Sequence, residues 1–145
     1  MSYAIDANIL LYASDQGSPL HERARRFLEE CAMRQETMCL GWPTLMAYLR
    51  ISTHPRIFGQ PLSPNRAMEN LETLQGLPQV RVLSEEEGFW PCYRKVTDGL
   101  HVRGNLVPDA HLVALLLEHN VRVLYTNDTD FNKFHVIESV NPFTS

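Results

Sequence analysis

Asp6, Asp109, Asp128 and Asp130 are the residues of this chain whose type and spacing suit chemistry, and that chemistry is the handling of a divalent cation. Asp6 closes the apolar run Tyr3-Ala4-Ile5 and is followed by Ala7-Asn8, so it reads as the end of a first strand. Asp128 follows Val121 to Asn127, a later strand leaving the core, and Asp109 opens a helix after Pro108. In open parallel sheets ligands bind outside the carboxyl ends of the strands, so acids at strand ends and at a facing helix start can meet although far apart in sequence. Asp6, Asp109 and Asp128 meeting there make a magnesium site. Hard cations prefer oxygen ligands, and magnesium keeps several waters that a phosphate can displace. A cation so held lowers the pKa of a bound water and stabilises an in-line displacement at phosphorus, which is nuclease chemistry with water as nucleophile. Asn8 and Thr126 are the neighbours placed to orient these acids by hydrogen bonds.

Each acid also has a plainer use. Asp109 can be a first-turn acid that favours the helix dipole, and Asp128 with Asp130 can shape a turn. Asp6 is harder to dismiss, because an unpaired carboxylate at the inner end of a central strand is costly to bury and wants a cation or several donors. His111, two residues from Asp109, either touches a phosphate or serves as a packing or surface histidine. Cys31 and Cys92 fall on apolar helix faces and Cys39 in a strand, inert settings for a thiol. The three cysteines lack CxxC spacing and the six histidines lack HxH or HExxH patterns, so structural zinc and a disulfide framework are not expected.

The elements that must position the acids alternate. After the first strand, Asn8 to Ala13 reads as a short helix, and Ser18-Pro19 as the start of a longer one with Leu20, Ala24, Phe27, Leu28 and Cys31 on one face. Thr37 to Gly41 is a strand, Trp42-Pro43 begins a helix to about Thr53, and His54-Pro55 ends it. Gly59 to Pro64 is a loop, Asn65 to Gln75 a helix, and Val80 to Leu83 a strand. Ser84 reads as the cap of a helix with Glu85, Glu86 and Glu87 in its first turn and Phe89, Trp90, Tyr93 and Val96 inward. Asp98 to Val107 reads as a polar loop before the apolar helix that Asp109 opens, and the last strand lies around Val136 to Glu138, after a turn through Asp130 to Lys133. Such alternation predicts a three-layer α/β/α domain, with a central, mostly parallel sheet of four to five strands flanked by helices.

With 145 residues, 44% hydrophobic and 21% charged, the chain is expected to be one globular domain over residues 1–145. No apolar run approaches the roughly 20 residues of a membrane span, and the amino terminus enters a strand directly, so a cytoplasmic location is expected. A net charge of −4 argues against a nucleic-acid surface over the whole molecule but leaves room for a local basic rim. Arg50, Arg94 and Lys95 are the candidates for phosphate contacts. These and the cluster Arg23, Arg25 and Arg26 can equally be solvated helix faces.

Three segments, Ile5-Asp6-Ala7-Asn8-Ile9-Leu10, Val107-Pro108-Asp109-Ala110-His111-Leu112-Val113-Ala114 and Thr126-Asn127-Asp128-Thr129-Asp130-Phe131, resemble in order and spacing the motifs of PIN-domain ribonucleases. Across essentially its whole length, including Leu49 to Arg56, the chain most resembles the VapC-type toxins of prokaryotic toxin–antitoxin pairs. The resemblance implies a magnesium- or manganese-dependent endoribonuclease acting on structured RNA, usually a homodimer, held inactive by a small VapB-like antitoxin. By motif match it makes Asp6, Asp109 and Asp128 the metal-binding acids, with Asp130 an auxiliary. One departure stands out. The family commonly carries a fourth acid, a Glu early in the helix that here begins near Trp42, yet no Asp or Glu occurs between Glu36 and Glu69, and Leu45 to Tyr48 are all uncharged. The rival expectation is therefore a catalytically weak PIN-like protein that binds RNA or a partner without cutting. A haloacid-dehalogenase-like phosphatase needs a second Asp where Asn8 stands, and a receiver domain needs a phosphoacceptor Asp in the acid-free stretch from Thr37 to Met68.

Overall fold

The computed structural model describes residues 1–144. Along the chain lie β1 (Ser2–Ile5), α1 (Ala7–Ser14), α2 (His21–Met33), β2 (Thr37–Gly41), α3 (Trp42–Ser52), α4 (Pro64–Gln75) and β3 (Val80–Leu83). These are followed by α5 (Phe89–Thr97), α6 (Leu106–Glu118), β4 (Val123–Tyr125), a 3-10 turn (Thr129–Lys133) and β5 (Glu138–Val140). The five strands form one sheet in the order β3-β2-β1-β4-β5, and every neighbouring pair is parallel.

Alternation along the strands divides the core. Tyr3, Ile5, Met38 and Leu40 point into one cluster with side chains of α1 to α4, while Ala4, Cys39, Leu83 and Leu124 point into another with α6, Val96 of α5 and Phe131. Both sheet faces are thus covered, giving three layers, as parallel sheets require. From β1 the chain builds outward through β2 and β3, then returns to lay β4 and β5 on the other side. The connections leaving β1 and β4 therefore diverge, and that is where such sheets open a crevice. Asp6 follows β1, and Thr126 to Asp128 follow β4.

α6 sets the third wall of that crevice. Ala110 and every residue from Leu112 to Leu116 are buried, so the helix has little freedom to turn about its axis. It ends in a Schellman turn: Val121 N–H donates to Leu116 O (2.9 Å), Asn120 N–H donates to Leu117 O (3.1 Å), and Asn120 adopts φ 59°. At the crossing with β2 the backbone of Gly41 lies against α6, and a β-carbon there would come within 2.8 Å of Leu115 Cδ2. Since Leu115 is fully buried, Gly41→Val is expected to destabilise the protein by about 1–3 kcal/mol in a urea titration. An unchanged midpoint would show that the two elements can part without cost.

Several boundaries differ from the sequence expectation. α2 starts at His21 rather than at Ser18-Pro19, because Ser18 Oγ accepts from Leu20 N–H (3.1 Å) and closes a local turn first. Ser84 does not cap α5 and the three glutamates are not in its first turn, which begins at Phe89. The backbone of that stretch is satisfied by α6 and its end instead: Glu86 N–H donates to the Glu118 carboxylate (3.1 Å) and Ser84 O accepts from His119 Nε2 (2.8 Å). Trp90 does not face inward. It is 61% exposed and stacks on Tyr93 with ring centroids 5.5 Å apart. α6 begins at Leu106, within the expected polar loop, and Pro108 sits in its first turn, where no N–H is needed. β4 is shorter than Val121 to Asn127, and the last strand is Glu138–Val140, two residues beyond the expected span.

Candidate metal centre

Asp6 is delivered by the junction between β1 and α1. Its backbone N–H donates to Tyr125 O (3.0 Å), extending the β1–β4 ladder by one residue, and its side chain caps α1 by accepting from Ala7 N–H (2.7 Å). The other carboxylate oxygen accepts from Thr126 Oγ1 (2.8 Å). Thr126, buried at the end of β4, in turn accepts from Asp128 N–H (3.0 Å) and from Asn8 Nδ2 (3.4 Å). One hydroxyl therefore ties the ends of two strands together. Asp128 Oδ1 accepts from Asp130 N–H (2.9 Å), which starts the 3-10 turn and brings Asp130 beside it. Asp109 projects from the first turn of α6 into the same space.

The result is a cleft of about 250 Å³ whose polar wall is Asp6, Asn8, Asp109 and Asp128. Carboxylate oxygens of Asp109, Asp128 and Asp130 all lie within 4.8 Å of one another, the only such group of three among the described residues. Asp130 rather than Asp6 thus completes the closest trio, while Asp6 sits in the same cleft with both oxygens already engaged by donors. Like charges at such separations oppose ionisation. Asp109 is pushed up to about 6, first by burial and then by Asp128, Asp6 and Asp130, with Lys133 acting in the opposite direction. Asp6 is also raised, chiefly by burial and further by Asp128, although the hydrogen bonds from Thr126 and Ala7 partly offset this. Lys133 Nζ stands 3.6 Å from Asp130, the one cation paired with these acids among the described residues.

An all-oxygen, strongly acidic pocket with little internal compensation fits a hard divalent cation. A further sign is Asn8 Oδ1, which is buried without a hydrogen-bond partner because Thr126 fixes the amide nitrogen on the other side. If Thr126 is the hinge of the site, Thr126→Val should lower Mn²⁺ affinity by about 10–100-fold and Thr126→Ser should restore it. Equal affinities for all three proteins in a Mn²⁺ titration would remove Thr126 from that role.

Other candidates are placed elsewhere. His111 does not reach the acids: its Nε2 bonds Glu85 Oε1 (2.7 Å), its ring packs on Phe89 (centroids 5.2 Å apart), and it holds the Glu85 carboxyl below the usual range. Arg50, Arg94 and Lys95 are exposed and form no ion pair among the described residues. Cys31 and Cys39 are buried, and burial pushes both thiols up, in keeping with inert cysteines. On α3, Leu45 and Tyr48 turn into the core shared with α1 and α4, and Pro43, Thr44, Ala47 and Ile51 are the residues that meet the cleft. Thr44 is a site residue that sequence reasoning misses. The available signal is a lone hydroxyl residue one helical turn from Ala47 and two from Ile51, on a face without charge.

Comparison with known proteins bears on the chain as a whole. The family model described as PIN domain matches residues 3–136. The chain is 42% identical over 144 residues to ribonuclease VapC48 of Mycobacterium tuberculosis (strain H37Rv), covering 99% of each chain. It is 30% identical over 138 residues to ribonuclease VapC43 of the same strain, covering 95% of this chain and 93% of that one. Among solved structures, VapBC-1 of nontypeable Haemophilus influenzae superposes with a TM-score of 0.69 at 19% identity, covering 99% of this chain and 100% of that one. The Mycobacterium tuberculosis sarcin-ricin loop cleaving toxin VapC20 superposes with a TM-score of 0.66 at 15% identity, covering 94% and 98%.

Proposed function

The chain belongs to the PIN-domain family, at the branch of the VapC ribonucleases, and on that footing we propose that it is an endoribonuclease that hydrolyses RNA phosphodiester bonds with magnesium or manganese. The observation that carries the reading is the convergence of Asp109, Asp128 and Asp130 within 4.8 Å, at the edge of a cleft that Asp6, Asp109 and Asp128 line. Asp6, Asp109 and Asp128 are the metal-binding acids and Asp130 an auxiliary. A bound divalent cation supplies positive charge for the phosphate oxygens and an acidified water as nucleophile. The chain does the positioning. Thr126 holds Asp6 and the backbone of Asp128 in register, Asn8 braces Thr126, and Asp128 in turn orients Asp130. Water is the nucleophile in this reading; Cys31 and Cys39 are buried in the core, away from the cleft lining.

The biological setting we propose is the toxin of a toxin–antitoxin pair in the cytoplasm, a homodimer of single-domain chains checked by a VapB-like antitoxin. Relatives named as VapC ribonucleases along the full chain, and structural neighbours solved as VapBC, support this. No helix among the described residues is long and apolar enough to cross a membrane. Arg50, Arg94 and Lys95, exposed and without ion-pair partners among the described residues, are the residues offered for phosphate contacts.

The test is incubation of the purified, partner-free protein with total bacterial RNA in Mg²⁺ or Mn²⁺, beside an EDTA control and Asp6→Asn. Discrete fragments lost in both controls are expected. Intact RNA in both metals, with RNA or antitoxin still bound, would instead favour a PIN-like binding protein; the uncharged α3 wall of the cleft is what keeps that second reading alive.

A further inference from the structure

Four buried side-chain polar atoms among the described residues have no hydrogen-bond partner: Tyr3 Oη, Asn8 Oδ1, Thr44 Oγ1 and Ser52 Oγ. Two of them, Asn8 Oδ1 and Thr44 Oγ1, belong to residues lining the acidic cleft. Burying a polar atom without a partner is costly, and an orphan is rare enough in folded proteins to require a use. Thr44 is 3% exposed and lines the cleft, so no mobile surface group satisfies it and what remains open to it is the cleft side. It sits in the first turn of α3, on the helix face that Ala47 and Ile51 continue along the cleft. Asn8 stands on α1, with its amide nitrogen spent on Thr126 and its oxygen left over.

We infer that Thr44 Oγ1 and Asn8 Oδ1 form a neutral oxygen pair that completes the cation site on the side where α3 supplies no carboxylate. The chemistry of the two groups suits the task. An amide oxygen only accepts, a threonine hydroxyl both accepts and donates, and neither is ionised. Hard divalent cations take amide and hydroxyl oxygens or hold them through their hydrating waters, which are strong donors. A neutral pair also adds no charge to a cleft that Asp6, Asp109 and Asp128 already line. A fourth carboxylate there would increase the repulsion that the metal-free fold must bear. This inference rests on the metal-nuclease reading and adds to it Thr44 and a second role for Asn8, neither of which that reading requires.

The experiment is a Mn²⁺ titration followed by the loss of free-ion EPR signal, on wild type, Thr44→Val, Thr44→Ser and Asp109→Asn, with thermal melts of each metal-free protein. Thr44→Val keeps the branched shape and removes the hydroxyl. Its Mn²⁺ affinity is expected to fall by about 10-fold, at the low end of what supporting residues of a metal site contribute. Its metal-free melting temperature is expected to stay level or rise, because an orphaned hydroxyl is gone. Thr44→Ser should bind as wild type does. Should Thr44→Val bind Mn²⁺ as tightly as wild type while Asp109→Asn does not, the neutral pair is wrong and the acidic site stands. Failure of wild type itself to bind Mn²⁺ would overturn both.

Discussion

Asp109→Asn is expected to lower RNA cleavage by at least a hundredfold, beyond the roughly 10–100-fold that residues merely supporting a metal ligand contribute. The same substitution is expected to raise the melting temperature of the metal-free protein near neutral pH. The opposite signs come from one cause. The folded protein raises Asp109 from its ordinary 3.8 to about 6, through burial and the charges of Asp128, Asp6 and Asp130. A carboxyl raised in the folded state binds more protons there than in the unfolded chain between pH 3.8 and about 6, so stability falls as pH rises through that window. Above it, the ionised carboxylate is a net penalty, which asparagine removes. A tenfold change in proton affinity on folding is worth about 1.4 kcal/mol, but the cleft is open to solvent and screening reduces the effect, so a gain on the order of 1 kcal/mol is expected. The advantage should shrink below about pH 6 and vanish near pH 4, where wild-type Asp109 is itself neutral. Thermal melts of the two metal-free proteins across that range check it. A variant less stable than wild type at neutral pH would show that Asp109 makes a structural contact stronger than its repulsions.

Adding Mn²⁺ to the metal-free protein at about 100 times its dissociation constant should stabilise the fold by roughly 2.7 kcal/mol, provided the unfolded chain does not bind it. For a chain of this size that corresponds to a rise in melting temperature of roughly 6–10 °C. The gain should be largest above pH 6, where Asp109 is ionised without cost to the cation, and should fade as Asp109 takes up its proton. Asp109→Asn should lose most of it. EDTA should return the wild type to its metal-free value. A metal-induced rise of equal size in wild type and variant would place the cation elsewhere on the protein.

Much of this site is legible in the sequence because the fold itself brings the acids together. A carboxylate directly after Ile5 and another shortly after Tyr125 follow adjacent parallel strands, β1 and β4, so strand pairing delivers both to the same sheet edge. Strand positions are correspondingly reliable where apolar runs are clean, as for Thr37–Gly41 and Val80–Leu83. Legibility fails where tertiary partners decide. Glu85 to Glu87 follow a serine and carry a favourable helix-start composition, but Glu118 and His119 at the end of α6 claim the backbone there before a helical turn can form. The start of α6 is hidden by Gly104-Asn105, because the packing of Leu106 against the core outweighs local composition. Trp90 has the hydrophobicity of a core residue but lies on the outer side of α5, where its ring stacks on Tyr93.

Within the site, the acids can be named from sequence but their roles cannot. Asp130 lies closest to Asp109 and Asp128 because a 3-10 turn follows Asp128, a geometry that Asx-rich segments only suggest. Asp6 has both oxygens occupied, a detail that depends on the hydroxyl of Thr126 reaching across from the next strand. Within Leu45 to Tyr48, where the family's fourth acid is expected, Leu45 and Tyr48 face the other core, while Ala47, like Thr44 before it, faces the cleft. One helical residue equals about 100° of rotation, so an error of one position exchanges the two.

The most direct test of the central claim is the end chemistry of RNA fragments produced by the wild-type protein in Mn²⁺, with Asp109→Asn as control. Attack by water in a single in-line displacement must leave linear phosphate monoester ends, and their appearance should require both the metal and Asp109. Fragments ending in 2′,3′-cyclic phosphate, or fragments that persist in EDTA, would mean that the RNA's own 2′-hydroxyl is the nucleophile and that the acidic cleft is not the site of cleavage.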